Sequence, residues 1–144
     1  MHLTLFLRNF SVLTFLFLFS FGSIVGQTDQ EYDEISVYLE IPKFGGLDIP
    51  AVIKGQELFL PVTDLFDFLK IRNESSANLD SVSGFFINPE VVYTISYPSN
   101  RIRFQDRFYV LSRGDLIRTE TNLYLRSSVF GRIFSLDFTF NFRS

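Results

Sequence analysis

The phrase running from Glu57 to Leu69 returns 65 positions later, from Asn122 to Phe134. In register, Leu58 matches Leu123, Phe59 matches Tyr124, Leu60 matches Leu125, Leu65 matches Phe130, Phe68 matches Ile133, Leu69 matches Phe134 and Ile71 matches Leu136. Each copy opens on an apolar triplet of strand character and continues with apolar residues at helical spacing, so each reads as a strand running into a short helix. Neither half can bury its apolar face alone, whereas two halves packed together can. The repeat therefore constrains the chain to an α+β fold: a small antiparallel, meandering sheet carrying two short helices, pseudo-symmetric through the repeated strand-helix unit. Such a module is a packing solution and points to a structural or interaction role more than to a catalyst.

The rest of the chain fits around those units. Ile35, Val37, Leu39 and Ile41 alternate with Ser36, Tyr38 and Glu40, the period of a half-buried strand that Pro42 stops. Phe44-Gly45-Gly46 reads as a turn, Asp48 to Ile53 as a second strand, and Lys54-Gly55-Gln56-Glu57 as the turn into Leu58-Phe59-Leu60. After Pro61, which suits the first turn of a helix, Val62, Leu65, Phe68 and Leu69 fall on one face, with Asp64 and Asp67 outside it. Arg72 to Asp80 is polar, a loop or a weak strand. Ser81 to Ile87, Val91 to Tyr97, Arg101 to Phe104 and Arg107 to Leu111 then form a meander punctuated by Asn88-Pro89, Pro98-Ser99-Asn100 and Gln105-Asp106, and Ser112 to Asp115 is a further turn.

The two ends carry separate signals. His2 and Arg8 precede an apolar run from Phe10 to Phe21, and small residues lead to Gly26, which is the anatomy of a signal peptide over residues 1–26. The run is short for a bilayer core that takes about 20 apolar residues, so cleavage after Gly26 is expected, with a retained anchor as the alternative. Residues 27–34 read as a flexible acidic linker and residues 35–144 as one domain, large enough for a single core. At the other end Leu136, Phe138, Phe140 and Phe142 alternate with polar residues up to Arg143, an amphipathic strand with no closing turn. So aromatic an edge invites aggregation, and the polypeptide is expected to continue past Ser144.

Composition narrows the chemistry. Beyond residue 26 there are 16 acidic and 12 basic side chains, a mildly acidic balance that supplies no basic surface for nucleic acid. There is no cysteine, hence no disulfide or thiolate chemistry, and the sole histidine is His2. Imidazole acid-base chemistry, histidine triads and histidine zinc sites are thereby excluded from the chain beyond residue 26. No glycine-rich phosphate loop follows a strand and no Gly-x-Ser-x-Gly elbow occurs. No enzymatic activity, catalytic residue, metal or cofactor is expected.

Several side chains remain to be weighed. Asp64 and Asp67 are close enough on a helix for paired acid-base work, although a solvated face is the simpler reading. Asp29, Glu31, Asp33 and Glu34 carry oxygens that calcium could use, but no glycine-turned loop shapes them, and Asp115 beside Gly114 reads as a turn residue. Tyr93, Tyr97, Tyr109 and Tyr124 could stack on sugars, yet at strand spacing they suit a core wall. Asn73-Glu74-Ser75 matches a glycosylation acceptor that matters only in a eukaryotic secretory pathway. Arg101, Arg103 and Arg107 share one hairpin with Ile102 and Phe104 between them, which would make a basic face able to contact an anionic ligand, or else a charged edge that discourages strand addition.

Gly55, Leu58-Phe59-Leu60-Pro61, Leu65, Phe68, Leu69 and Ile71, followed by Leu123-Tyr124-Leu125, Phe130, Ile133, Phe134 and Leu136, together resemble the copper amine oxidase N-terminal-like domain of bacterial surface and envelope proteins. The resemblance spans most of residues 47–138, and departs from the family at Thr63-Asp64, where an arginine is usual, and at Arg126, where a proline is usual. It implies a stalk or accessory module with no copper site. Residues 1–26, Ile35 to Ile41, Ser83-Gly84-Phe85-Phe86 and the ending Asp137 to Ser144 also look like the opening of a large Bacteroidetes-type outer-membrane protein. That likeness implies a periplasmic or outer-membrane location in a Gram-negative bacterium. The function expected is a non-catalytic periplasmic structural or docking module, the N-terminal domain of a larger outer-membrane protein, with a downstream barrel or envelope protein as partner and no nucleic acid. The alternative is a free-standing secreted module for glycan, lipid headgroup or another anionic envelope polymer.

Overall fold

The computed structural model describes residues 31–141. The signal peptide expected over residues 1–26, the first half of the acidic linker (27–30), and residues 142–144 lie outside the described residues. Strands β1 (Asp33–Ile41), β2 (Gly45–Lys54), β3 (Glu57–Pro61), β9 (Leu116–Arg118) and β10 (Leu123–Arg126) form one antiparallel sheet in the order β1-β2-β3-β10-β9. Strands β4 (Arg72–Ser75), β5 (Ser81–Phe85), β6 (Val92–Ser96), β7 (Arg101–Phe104) and β8 (Arg107–Val110) form a second, in chain order. Helix α1 (Val62–Phe68) follows β3, and α2 (Ser127–Phe134) follows β10.

The fold is thus α+β, with two five-stranded sheets where the sequence reading expects one small sheet. Only the second is a meander. The first draws its central pair, β3 and β10, from opposite ends of the domain. Leu116–Arg118 is a strand that the sequence pattern does not announce, being three residues long and without room for alternation.

Local chemistry explains most elements. Along β1 every second residue from Ile35 to Ile41 is half-buried and the residues between are exposed, as the alternation demands. Lys54 pairs with Glu57 across the two-residue turn Gly55-Gln56, where Gly55 takes φ +63°, a conformation that a side chain makes costly. Both helices are short and close on a left-handed residue, Lys70 at φ 61° and Ser135 at φ 58°. The two positions are 65 apart, like the phrases themselves.

The pairing between the units is ordered in the same way. Leu60 sits opposite Leu125, Phe59 opposite Arg126 and Pro61 opposite Tyr124. Leu60 is therefore paired with its own counterpart in the other phrase, and its two neighbours are paired with each other's counterparts.

The core lies where both sheets and both helices meet. Leu58, Leu60, Leu123 and Leu125 face it from the first sheet, Val82, Tyr93, Ile95 and Ile102 from the second. The helices contribute Val62, Leu65 and Phe66, then Val129, Phe130, Ile133 and Phe134. Phe66, absent from the apolar face expected of α1, is fully buried, whereas Phe68 is only half-buried. Its ring centroid lies 5.6 Å from Phe86, 5.2 Å from Tyr93, 5.9 Å from Phe130 and 5.8 Å from Phe134, all edge-to-face. That geometry suits the ring quadrupole. Tyr93 completes the cluster and donates its hydroxyl to the Arg72 carbonyl at 2.9 Å.

On the opposite face of the first sheet, Val52, Phe59 and Tyr124 form a smaller buried cluster. Arg126 spans from it to the turn before β9: its guanidinium carbon is 5.2 Å from the Phe59 ring centroid, and its Nε is 2.9 Å from Asp115 Oδ1. Asp115 is a turn residue, as expected, but only 4% exposed, and its other oxygen accepts the Ser112 N–H at 2.8 Å.

The alternation of Leu136, Phe138 and Phe140 survives as alternation of burial, yet Ser135 to Asn141 is not a strand. The segment joins neither sheet among the described residues. The Asp137 carboxylate packs against Gly131, where a Cβ would oblige it to shift.

Candidate functional site

The hairpin of β7 and β8 turns at Gln105-Asp106, with Gln105 at φ 55°. A two-residue turn inverts parity, so residues sharing a face are odd on one strand and even on the other. Arg101 pairs with Val110 and Arg103 with Phe108, all four on the outer face, while Ile102 and Tyr109 pair on the inner one. Arg107 pairs with Phe104, on the inner-face side of the register, at the exposed tip of the hairpin. The three arginines expected to make one basic face are therefore divided: Arg101 and Arg103 stand together, and Arg107 does not join them.

What joins them is apolar. Phe108 is 64% exposed and Val110 is 76% exposed, large apolar side chains left open on the edge strand β8. The guanidinium carbons of Arg101 and Arg103 lie 5.9 Å and 6.0 Å from the Phe108 ring centroid. Cation–π contact at an exposed site is worth about 0.5–1 kcal/mol, enough to orient both arginines across the ring. Arg103 Nε also donates to the Gln105 carbonyl at 3.2 Å.

The surface continues across the sheet in two cross-strand rows. Arg103 is followed by Thr94, Ser83 and Glu74, and Arg101 by Ser96 and Ser81. Two guanidinium groups, an exposed ring and a field of hydroxyls thus share one face, an arrangement suited to holding anions or acidic side chains through charge and hydrogen bonds.

The other residues singled out from the sequence lie elsewhere. Asp67 is exposed and accepts from Asn73 Nδ2 at 2.7 Å, so Asn73 is engaged with helix α1. Asp64, expected to face water, is half-buried, and burial pushes its carboxyl above the usual range, with the charge of Asp67 adding to the shift. Tyr93 and Tyr124 are core residues; burial pushes the Tyr93 phenol well up and the Tyr124 phenol up, the latter against a hydrogen bond from Asn122. Tyr109 is half-buried, while Tyr97 is exposed, with the Arg118 guanidinium carbon 5.5 Å from its ring centroid. Arg118 also pairs with Asp80, so this arginine of β9 ties the first sheet to the second. The sequence gives no sign of that clamp, because its partner is 38 residues away. Asp33 and Glu34 open β1, and Asp29 lies outside the described residues.

No protein-family model, curated protein or solved structure matches this chain.

A second feature borders the first sheet. A groove of about 870 Å³ runs between β1 and the segment Ser135 to Asn141, with Ile53 and Leu69 at its base. It lies at the edge of β1 that no strand among the described residues covers, and the arginine face belongs to the other sheet.

Proposed function

We propose that this chain is a non-catalytic docking module of the bacterial cell envelope, exported through its N-terminal 26 residues and acting as the N-terminal domain of an outer-membrane protein. The observation that carries the reading is the outer face of the second sheet, where Arg101 and Arg103 flank the exposed Phe108. An aromatic anchor between two arginines has the composition of the energetic centre of a protein interface. Its charge selects an acidic partner surface, on the barrel portion or on another envelope protein. A second reading, binding of an acidic glycan, is favoured by the hydroxyl rows of Ser81, Ser83, Thr94 and Ser96 beside the arginines.

Outer-membrane vesicles distinguish the two. The full chain should bind them at low salt, the double variant R101E/R103E should lose about tenfold or more in affinity, and R107E should stay near wild type, since charge steering depends on the field of the face concerned. Protease treatment of the vesicles abolishes binding if the partner is protein. Binding that survives protease and transfers to protein-free acidic polysaccharide establishes the glycan reading instead. Equal binding by wild type and R101E/R103E sinks both.

The same reading takes the two strand-helix phrases as a structural repeat related by a local two-fold axis between Leu60 and Leu125, which accounts for the envelope stalk resemblance. The self-complementary β3–β10 register supports it, as do the equivalent left-handed residues Lys70 and Ser135. Glycine at either position removes a strained conformation, so Lys70→Gly and Ser135→Gly should each stabilise the fold by about 0.5–1 kcal/mol in urea denaturation. A gain at one site with a loss at the other counts against equivalence.

A further inference from the structure

Edge strands expose a row of unpaired backbone groups, and folded proteins usually keep them very short. Three of the four edges here obey that rule: β9 has three residues, and β4 and β8 have four each. The fourth is β1, with nine residues in unbroken register with β2 from Asp33 opposite Ile53 to Ile41 opposite Gly45. No proline or bulge interrupts it. In an antiparallel ladder alternate residues direct their N–H and C=O groups away from the partner, so among the described residues β1 offers a long edge on the side away from β2.

That edge forms one wall of the groove. Consecutive residues from Ile35 to Pro42 line one side, and Ser135 to Asn141 the other. Both walls bring alternating apolar side chains to half burial against the core: Ile35, Val37 and Leu39 from one, Leu136 and Phe138 from the other. A strand takes up about 4.8 Å in the hydrogen-bonding direction and about 10 Å across its faces. A volume of about 870 Å³ therefore corresponds to roughly 18 Å of strand, or five to six residues at about 3.3 Å each. The charged residues among the lining are Glu40 and Asp137, both acidic.

We propose that the groove is a strand-addition site, which takes an extended segment of a partner polypeptide whose apolar residues alternate with at least one lysine or arginine. Main-chain hydrogen bonds to β1 supply affinity, the apolar rows fix which face turns inward, and Glu40 with Asp137 selects a basic segment. A second copy of this chain fits less well. Antiparallel self-pairing of β1 centred on Val37 sets Glu34 opposite Glu40 twice per dimer, and like charges directly opposite are destabilising. The site is independent of the arginine face of the second sheet, and of whatever that face binds.

The test uses the full chain and a fluorescein-labelled peptide alternating valine with lysine and threonine. Anisotropy should show binding at least tenfold tighter than for the same peptide with glutamate in place of lysine, and Glu40→Lys should cancel that preference. Hydrogen exchange on the unaltered chain should show new protection of β1 amides when the peptide is present, which does not depend on any variant folding. Protection appearing elsewhere, equal binding of a version with proline at alternate positions, or a lysine preference undiminished in Glu40→Lys overturns the proposal. Concentration-dependent dimerisation that protects β1 without peptide also overturns it, in favour of self-pairing.

Discussion

Phe66→Ala lowers the unfolding free energy by about 3–5 kcal/mol, the range for removing a buried phenylalanine, and displaces the thermal midpoint by roughly 15 °C or more. The expectation rests on where the ring sits. It lies within 6 Å of Phe86, Tyr93, Phe130 and Phe134, so truncation opens a cavity that four rigid rings cannot easily fill. Edge-to-face partners lose their quadrupole contacts as well. Phe66→Leu, which keeps most of the volume, should lose less than half as much, and urea denaturation of both variants measures the difference. A loss below about 1.5 kcal/mol for the alanine variant would mean that the aromatic cluster does not hold the two sheets together.

Asp115→Ala is the second large effect, at about 3 kcal/mol. Breaking a buried ion pair from one side leaves the remaining charge poorly compensated. Arg126 would then keep as its carboxylate partner only the exposed Glu57, whose Oε1 is 3.4 Å from Arg126 Nη1, beside a long 3.5 Å hydrogen bond to the Gly114 carbonyl, and the Ser112 N–H would lose its acceptor. The loss lies at the lower end of the range for buried pairs because the Arg126 side chain is still 25% exposed. A double-mutant cycle gives the sharper readout: Asp115→Ala combined with Arg126→Met should lose distinctly less than the sum of the single losses. Additive losses would show that the 2.9 Å approach of the two groups carries no coupling.

Strand β1 and the hairpins were legible in the sequence because period-two alternation and turn residues act locally. Ile35 to Ile41 need no knowledge of the rest of the chain to be placed. The inner side of α1 was not, since in a seven-residue helix the choice between Phe66 and Phe68 depends on which neighbours arrive, and Phe66 is selected by rings from β6 and α2. The final segment shows the same limit from another direction. The alternation of Leu136 and Phe138 fixes one face turned inward, but says nothing about whether a ladder partner lies beside it. The buried state of Asp115 was hidden because a charge next to a turn glycine is most simply solvated until Arg126 is folded against it.

The candidate site was half legible. Arg101 and Arg103 could be paired from their spacing alone. The separation of Arg107 follows from the parity inversion across Gln105-Asp106, a rule that sequence reading can apply, and the same rule brings Phe108 to the arginines' side. The groove could not have been found in this way, because it exists only where β1 and the last described residues come side by side.

The pairing of β3 with β10 also sets an order of events. The second sheet is a run of hairpins whose contacts are local, so it can form as soon as its residues are available, whereas the centre of the first sheet must wait for two segments some 65 positions apart. During synthesis from the N-terminus, β3 emerges long before β10, and its inner apolar residues stay open to wrong partners in the meantime. Completion of the meander draws β10 back towards β3 and shortens the loop that remains to be closed. The slow step in folding, and the window in which the chain is most open to misassembly, therefore falls at the arrival of Leu123–Arg126.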